Sequence, residues 1–161
     1  MENLVQQLAE TLISQQRFMA TAESCTGGWI AQSLTALAGS SVWFDTGFVT
    51  YSNAAKQRLL DVPPVYFVTG GPGAVSEETV LAMTGGAIAH SEASAAVAVS
   101  GIAGPDGGSK DKPVGTVWIA WQVDEQADAR CFHFDGDREA VRLATVAEAL
   151  SGLLERLQKE N

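Results

Sequence analysis

Histidine and cysteine are scarce: His90, His133, Cys25 and Cys131 are all that 161 residues contain. Cys25 and Cys131 have neither paired metal spacing nor a disulfide-dense context, and two histidines add too few ligands for a zinc site. No metal is expected. Positive charge is also short. Ten Lys and Arg stand against nineteen Asp and Glu, a net charge of −9, so no basic field exists to gather nucleic acid or an acidic membrane surface. No apolar run approaches the roughly 20 residues of a membrane span, and the start Met1-Glu2-Asn3 lacks the basic character of a signal peptide. The chain is therefore expected in the cytoplasm, with neither nucleic acid nor membrane as partner. Common chemical motifs are missing as well. Gly104 is not followed by Gly-Lys at phosphate-loop spacing, and there is no Gly-x-Ser-x-Gly elbow or His-Glu-x-x-His helix. The nearest dinucleotide-like string, Gly70-Gly71-Pro72-Gly73-Ala74, follows the wrong kind of segment for hydride transfer.

What is present reads as one domain over residues 1–161, of ordinary size and with 46% apolar residues to bury. Leu4, Val5, Leu8, Ala9, Leu12 and Ile13 recur at helical spacing. Residues 18–22 form a short strand free of charge, followed by a glycine turn and a helix over residues 29–37. Residues 42–51 read as a second strand, with Gly47 marking a bulge or a close approach. Ser52 caps a short helix over residues 53–60, and residues 61–75 read as an irregular excursion rich in proline and glycine. Ser76 caps a helix reaching about His90, with Glu77 and Glu78 in the first turn where the dipole favours acids. Residues 95–100 are a small apolar strand of the kind covered on both faces. A glycine-rich loop runs on to Gly115. Residues 116–123 and 129–134 alternate like a hairpin joined by the acidic residues 124–128, and Asp135-Gly136-Asp137 caps a long final helix. This order predicts an α/β fold, a three-layer α/β/α sandwich with a mixed, mostly parallel sheet. Ligands of such sheets gather at the carboxyl ends of strands, where both glycine-rich loops begin.

Ser24 stands at such an end, before Gly27 and Gly28 and a helix start whose N–H groups would aim into the same space. It is placed as a nucleophile, although a serine that merely caps the helix has the same sequence appearance. Its base would be a lysine, since both histidines lie outside the glycine loops. Lys56 suits this role: in the opening turns of a helix the macrodipole disfavours positive charge and lowers the amine pKa. Tyr51 would orient that amine or relay the proton. A solvated lysine and a core tyrosine are the competing account. N–H groups of the Gly27-Gly28 turn, with Cys25 and Thr26 beside them, would form an oxyanion hole, which makes acyl transfer the natural reaction class. Cys25 is a rival nucleophile near the same helix start. The loop from Ser100 and Gly101 through Gly104 to Ser109 bends tightly enough to hold a phosphate or sugar, and also reads as a plain connection. Arg138 and Arg142, in the first turns of the last helix, are the permanent cations best placed for a phosphate, against a solvated helix face.

Three strings carry a resemblance: Thr21-Ala22-Glu23-Ser24-Cys25-Thr26-Gly27-Gly28, then Gly47-Phe48-Val49-Thr50-Tyr51-Ser52-Asn53-Ala54-Ala55-Lys56, then Ser100-Gly101-Ile102-Ala103-Gly104-Pro105-Asp106-Gly107-Gly108. Together they resemble the nicotinamide-nucleotide amidase family, the carboxy-terminal domain of the competence-damage-inducible CinA proteins, in its stand-alone form. The resemblance implies hydrolysis of nicotinamide mononucleotide to nicotinate mononucleotide and ammonia within pyridine nucleotide recycling. It places the family's serine, lysine and tyrosine on Ser24, Lys56 and Tyr51. It further implies an α/β/α fold, no metal or cofactor, and an oligomer, with a dimer favoured. Between Val62 and Ala74 the family usually carries a charged helical segment, which this chain replaces with Pro63-Pro64-Val65-Tyr66-Phe67-Val68-Thr69-Gly70-Gly71-Pro72-Gly73. A non-catalytic nucleotide-binding protein of the same fold is the alternative.

Overall fold

The computed structural model describes residues 1–159. In chain order its elements are α1 (Glu2–Ser14), β1 (Met19–Glu23), α2 (Trp29–Thr35), β2 (Phe44–Val49), α3 (Asn53–Leu60), α4 (Glu77–Ala89), β3 (Ala95–Gly101), β4 (Thr116–Val123), β5 (Gln126–His133) and α5 (Arg138–Lys159). Short 3₁₀ turns occupy Ser40–Val42 and Pro64–Phe67. The strands form one sheet in the order β2-β1-β3-β4-β5. The β2-β1 and β1-β3 ladders are parallel, and β3-β4 and β4-β5 are antiparallel. The sheet is thus mixed as expected: its ladders are two parallel and two antiparallel, because only the first three strands are joined by helical crossovers, and β4 alone runs against the other four strands. None of the described helices is long and apolar enough to cross a membrane.

The pleat sorts large from small side chains. Met19, Val97, Val99, Ile119 and Trp121 pack with α1, α2 and α5, where Leu8, Leu12, Ile30, Leu150 and Leu153 are fully buried. Each such leucine contributes about 2 kcal/mol by leaving water. The opposite faces of the same strands carry Ala20, Ala22, Ala96, Ala98 and Ala120, against Val80, Met83 and Ala87 of α4. These alanines let α4 lie close on the sheet. Gly86 extends that closeness to α3, since a methyl group there would strike the main chain of Leu60.

Local differences from the sequence reading have physical causes. Val42 belongs to a 3₁₀ turn, so β2 is shorter than residues 42–51 suggest. A register shift leaves Asp45 between Phe44, which faces Met19, and Thr46, which faces Ala20. The close approach at Gly47 comes from Ala31 of α2, whose Cβ would lie 3.1 Å from an added Cβ. The hairpin connection is only Asp124-Glu125, with Asp124 in the left-handed region at φ 49°. The acidic stretch therefore runs into β5, an edge strand, where charges are tolerated in water and blunt pairing with other chains.

Candidate active site

Parallel pairing brings the carboxyl ends of β1, β2 and β3 to one rim. Past the ladder, Ser24 N–H donates to the Val99 carbonyl (3.1 Å) and Thr50 N–H to the Glu23 carbonyl (2.9 Å), locking the three exits together. Ser52 caps α3 through its hydroxyl, which accepts from Ala55 N–H at 3.0 Å. One turn on, Lys56 points back under the rim and is only 1% exposed. Its Nζ lies 2.9 Å from Ser24 Oγ, 2.8 Å from the Thr50 carbonyl and 3.3 Å from the Tyr51 carbonyl.

Burial pushes the Lys56 amine from its ordinary 10.5 down to about 8. The cause is desolvation, in place of the helix dipole inferred from sequence. No carboxylate is hydrogen-bonded to this amine to hold its charge. Two of its three neighbours are carbonyls, which only accept. In the neutral amine both N–H bonds go to them, and the lone pair is left for the Ser24 hydroxyl proton. The same burial raises the Cys25 thiol to about 11, so a thiolate is disfavoured there and the expected stabilisation by a helix start does not prevail.

The turn after Ser24 is held from two sides. Glu23, fully buried, accepts from Thr26 Oγ1 (2.7 Å) and from the N–H groups of Ile30 (2.8 Å) and Ala31 (2.9 Å). Those helix-start donors are therefore spent on a side chain and do not face a ligand, contrary to the sequence reading. Gly27 N–H is also engaged, on the Ser24 carbonyl at 3.1 Å, while Gly27 and Gly28 take positive φ values of 62° and 100°. The N–H groups of Thr26 and Gly28 have no hydrogen-bond acceptor among the described residues, and that of Cys25 meets only its own thiol.

Ser24, Cys25, Lys56, Ser100, Gly101 and Arg138 line a cavity of about 210 Å³, walled also by Tyr51, Ala74, Val75 and Ala103. A second cleft of about 590 Å³, lined by Thr26, Gly27, Gly28, Trp29, Gln32, Glu139 and Arg142, shares Arg138 with it. Arg138 donates to the Gly104 carbonyl (2.8 Å) and to the Tyr51 hydroxyl (3.2 Å). Tyr51 thus meets the amine through its carbonyl, while its phenol, on a residue 61% exposed, turns to Arg138. Arg142 donates to the carbonyls of Cys25 (3.1 Å) and Thr26 (2.9 Å) and lies over the Trp29 ring. Neither histidine lines either space: His90 pairs with Asp61, and His133 sits in β5. Among the described residues, no three of His, Cys, Asp and Glu gather as a metal-binding group.

Sequence reasoning missed Glu23 as a functional part of the turn. Its signal was a lone acid ending an apolar strand, since a buried carboxylate must find donors. It also missed Lys112, whose amine reaches the Pro72 carbonyl (3.0 Å) and ties the second glycine-rich loop to the segment after Val62. Ala74 and Val75 carried no signal at all.

Comparison with known proteins places this architecture. Residues 1–157 match the model of the CinA C-terminal domain. The chain is similar to the nicotinamide-nucleotide amidohydrolase PncC of Pseudomonas putida, 57% identical over 94% of each chain, and to that of Escherichia coli K12, 48% identical over 93% of this chain and 90% of the relative. A Klebsiella pneumoniae structure titled competence damage-inducible protein A superposes with a TM-score of 0.92 at 41% identity, covering 98% of this chain and 96% of the other. A competence/damage inducible protein from Agrobacterium tumefaciens gives 0.91 at 44% identity, covering 98% and 94%. With the fold, the three meeting strand ends and the matched residues in agreement, the chain belongs to the CinA C-terminal domain family.

Proposed function

We propose that this chain is an amidohydrolase that converts nicotinamide mononucleotide to nicotinate mononucleotide and ammonia, the activity for which its Pseudomonas and Escherichia relatives are named. The observation that carries the mechanism is the 2.9 Å approach of the buried Lys56 amine to Ser24 Oγ. Neutral Lys56 takes the hydroxyl proton as Oγ attacks the carboxamide carbon, and the carbonyl oxygen becomes an oxyanion. The resulting ammonium of Lys56 protonates the departing nitrogen, ammonia leaves, and a nicotinoyl ester remains on Ser24. Water, deprotonated by Lys56, then attacks the ester and regenerates the serine. Residues of this chain suffice for each of these proton transfers, and no cofactor enters.

The oxyanion lies against main-chain N–H groups of the turn, those of Cys25 and Thr26, in place of the Gly27 donor that Ser24 consumes. Tyr51 fixes the amine through its carbonyl and, with Gly104, holds Arg138 at the boundary of the two clefts. Arg138 receives the substrate phosphate there, with Ser100 and Gly101 against the pyridine end. We place residues 1–161 as one catalytic domain acting in the cytoplasm within pyridine nucleotide recycling, and assembling as a dimer.

Ammonia release from nicotinamide mononucleotide tests the reading. Ser24→Ala and Lys56→Ala are expected to lose about 10⁴-fold in kcat, while Cys25→Ala stays within about threefold of wild type. An active Ser24→Ala with a dead Cys25→Ala refutes the nucleophile. Tight nucleotide binding by wild type with no turnover replaces the amidase with a nucleotide-binding protein.

A further inference from the structure

We propose that Arg142 is a positioning residue for the oxyanion site and not a ligand of the substrate phosphate; this rests on the amidase reading above. Its Nε and one terminal nitrogen hold two successive carbonyls, those of Cys25 and Thr26. A trans peptide is planar, with its C=O and N–H pointing in opposite directions. Neither bond of this turn is cis among the described residues. Drawing both carbonyls toward Arg142 therefore turns both following N–H groups away from it.

The second of these peptides shows where that side is. Its N–H, that of Gly27, ends on the Ser24 carbonyl at 3.1 Å. The first, that of Thr26, is turned away from Arg142 by the same planarity and finds no acceptor among the described residues although Thr26 is fully buried. A buried N–H without a partner is rare and calls for one from outside the chain. An oxygen bonded to the carbon that Ser24 attacks would meet it. Thr26 is held in its orientation by its hydroxyl, which donates to Glu23 at 2.7 Å, and by its carbonyl, which also accepts from Trp29 N–H at 3.2 Å. Arginine suits this position because its planar fork meets the two carbonyls through separate nitrogens in a fixed geometry, which a lysine's single ammonium on a flexible stem does not reproduce. The guanidinium is itself fixed over Trp29, 5.2 Å from the ring centroid. Its donors are thereby directed at the main chain, while Arg138, shared by both clefts, is left for the phosphate.

Steady-state kinetics on nicotinamide mononucleotide and on nicotinamide riboside, the same amide without phosphate, tests this. Arg142→Ala is expected to lower kcat about 100-fold on both substrates, with KM within about twofold of wild type and partial rescue by added guanidinium ion. Arg138→Ala is expected to raise KM for the nucleotide alone. If Arg142→Ala raises KM only for the phosphorylated substrate, or leaves kcat unchanged, the positioning role is overturned. Arg142→Lys stands in should the alanine variant fail to fold, with the same kcat loss expected. The labelling rate of Ser24 by a fluorophosphonate separates the two readings: slower labelling in the Arg142 variants supports the positioning role even where wild type hydrolyses neither amide, and an unchanged rate overturns it.

Discussion

The two halves of the sheet do different work. In the parallel half, β2-β1-β3, helical crossovers bring every strand to the same rim, so Ser24, Thr50 and Ser100 emerge side by side as buried polar groups. In the antiparallel half, β3-β4-β5, the strands reverse direction. Its charges sit on the exposed edge as surface pairs, Asp124 with Arg17 and Asp128 with Arg156. Trp121 buries fully beneath α5 and donates its indole N–H to the Ala149 carbonyl. The difference teaches that buried polar groups gather on the parallel rim, whereas the antiparallel half supplies apolar burial and therefore stability.

The largest effect that would break this contrast is on the rim. Lys56→Met is expected to abolish turnover, about 10⁴-fold, with the fold intact by circular dichroism. A variant that is inactive only because it unfolds would erase the distinction between the halves. The amine also gives the rim a pH signature. With its pKa near 8 in the folded chain and 10.5 as ordinary value, wild-type kcat/KM is expected to rise with pH and level off above about 8, the base being active when neutral. Because the unfolded chain binds more protons between these values, wild type gains stability relative to Lys56→Met as pH rises from about 8 to 10.5, by about 3 kcal/mol at most. Denaturant titrations at both ends check this, and a flat difference would refute the lowered pKa.

The antiparallel half should fail in the opposite way. Trp121→Ala removes a large buried ring and its hydrogen bond, for an expected loss of about 3–5 kcal/mol in urea titration, with kcat per folded molecule within about twofold of wild type. A large kcat loss in folded protein would mean that the halves are coupled. The smallest effect is at the edge. Asp128→Asn is expected to cost about 0.5 kcal/mol or less, because the pair with Arg156 is half in water and screened by salt. Arg156 holds the Asp128 carboxyl below its usual range. That contribution is present at neutral pH and is lost as acid protonates the group. A cost several times larger would show that the edge carries structural weight.

Much of the rim was legible because its residues obey local rules. Ser52 had to cap α3, and the alternation of Ala96, Val97, Ala98 and Val99 marked a strand covered on both faces. The pairing of Ser24 with Lys56, 32 residues apart, is read from the placing of the histidines outside the glycine loops and from the helix start at Ser52, and resemblance adds to it, although no local pattern encodes the contact itself. What stayed hidden has one cause. Arg142 and Glu23 bind different groups of the same turn, and that allocation of donors and acceptors exists only once α5 has docked on β3 and β4 beside α2. The lowering of the Lys56 pKa was anticipated from the helix dipole, whereas its cause is the depth at which the rim closes over the amine. Local pattern said nothing of how the segment after Val62 is anchored, because its tie runs from Lys112 across forty residues.

Sequence alone determined the helices and most of the strands, the caps at Ser52 and Ser76, and the small apolar character of β3. These follow from side-chain period and hydrogen-bonding capacity, which are properties of neighbours along the chain. Only the tertiary structure decided that the sheet divides evenly between parallel and antiparallel ladders, that the α2 start serves Glu23, and that Arg142 holds the carbonyls of Cys25 and Thr26 while Arg138 bridges Gly104 and Tyr51. Such choices depend on which elements pack together, since burial and directed hydrogen bonds are settled in space and not in order along the chain.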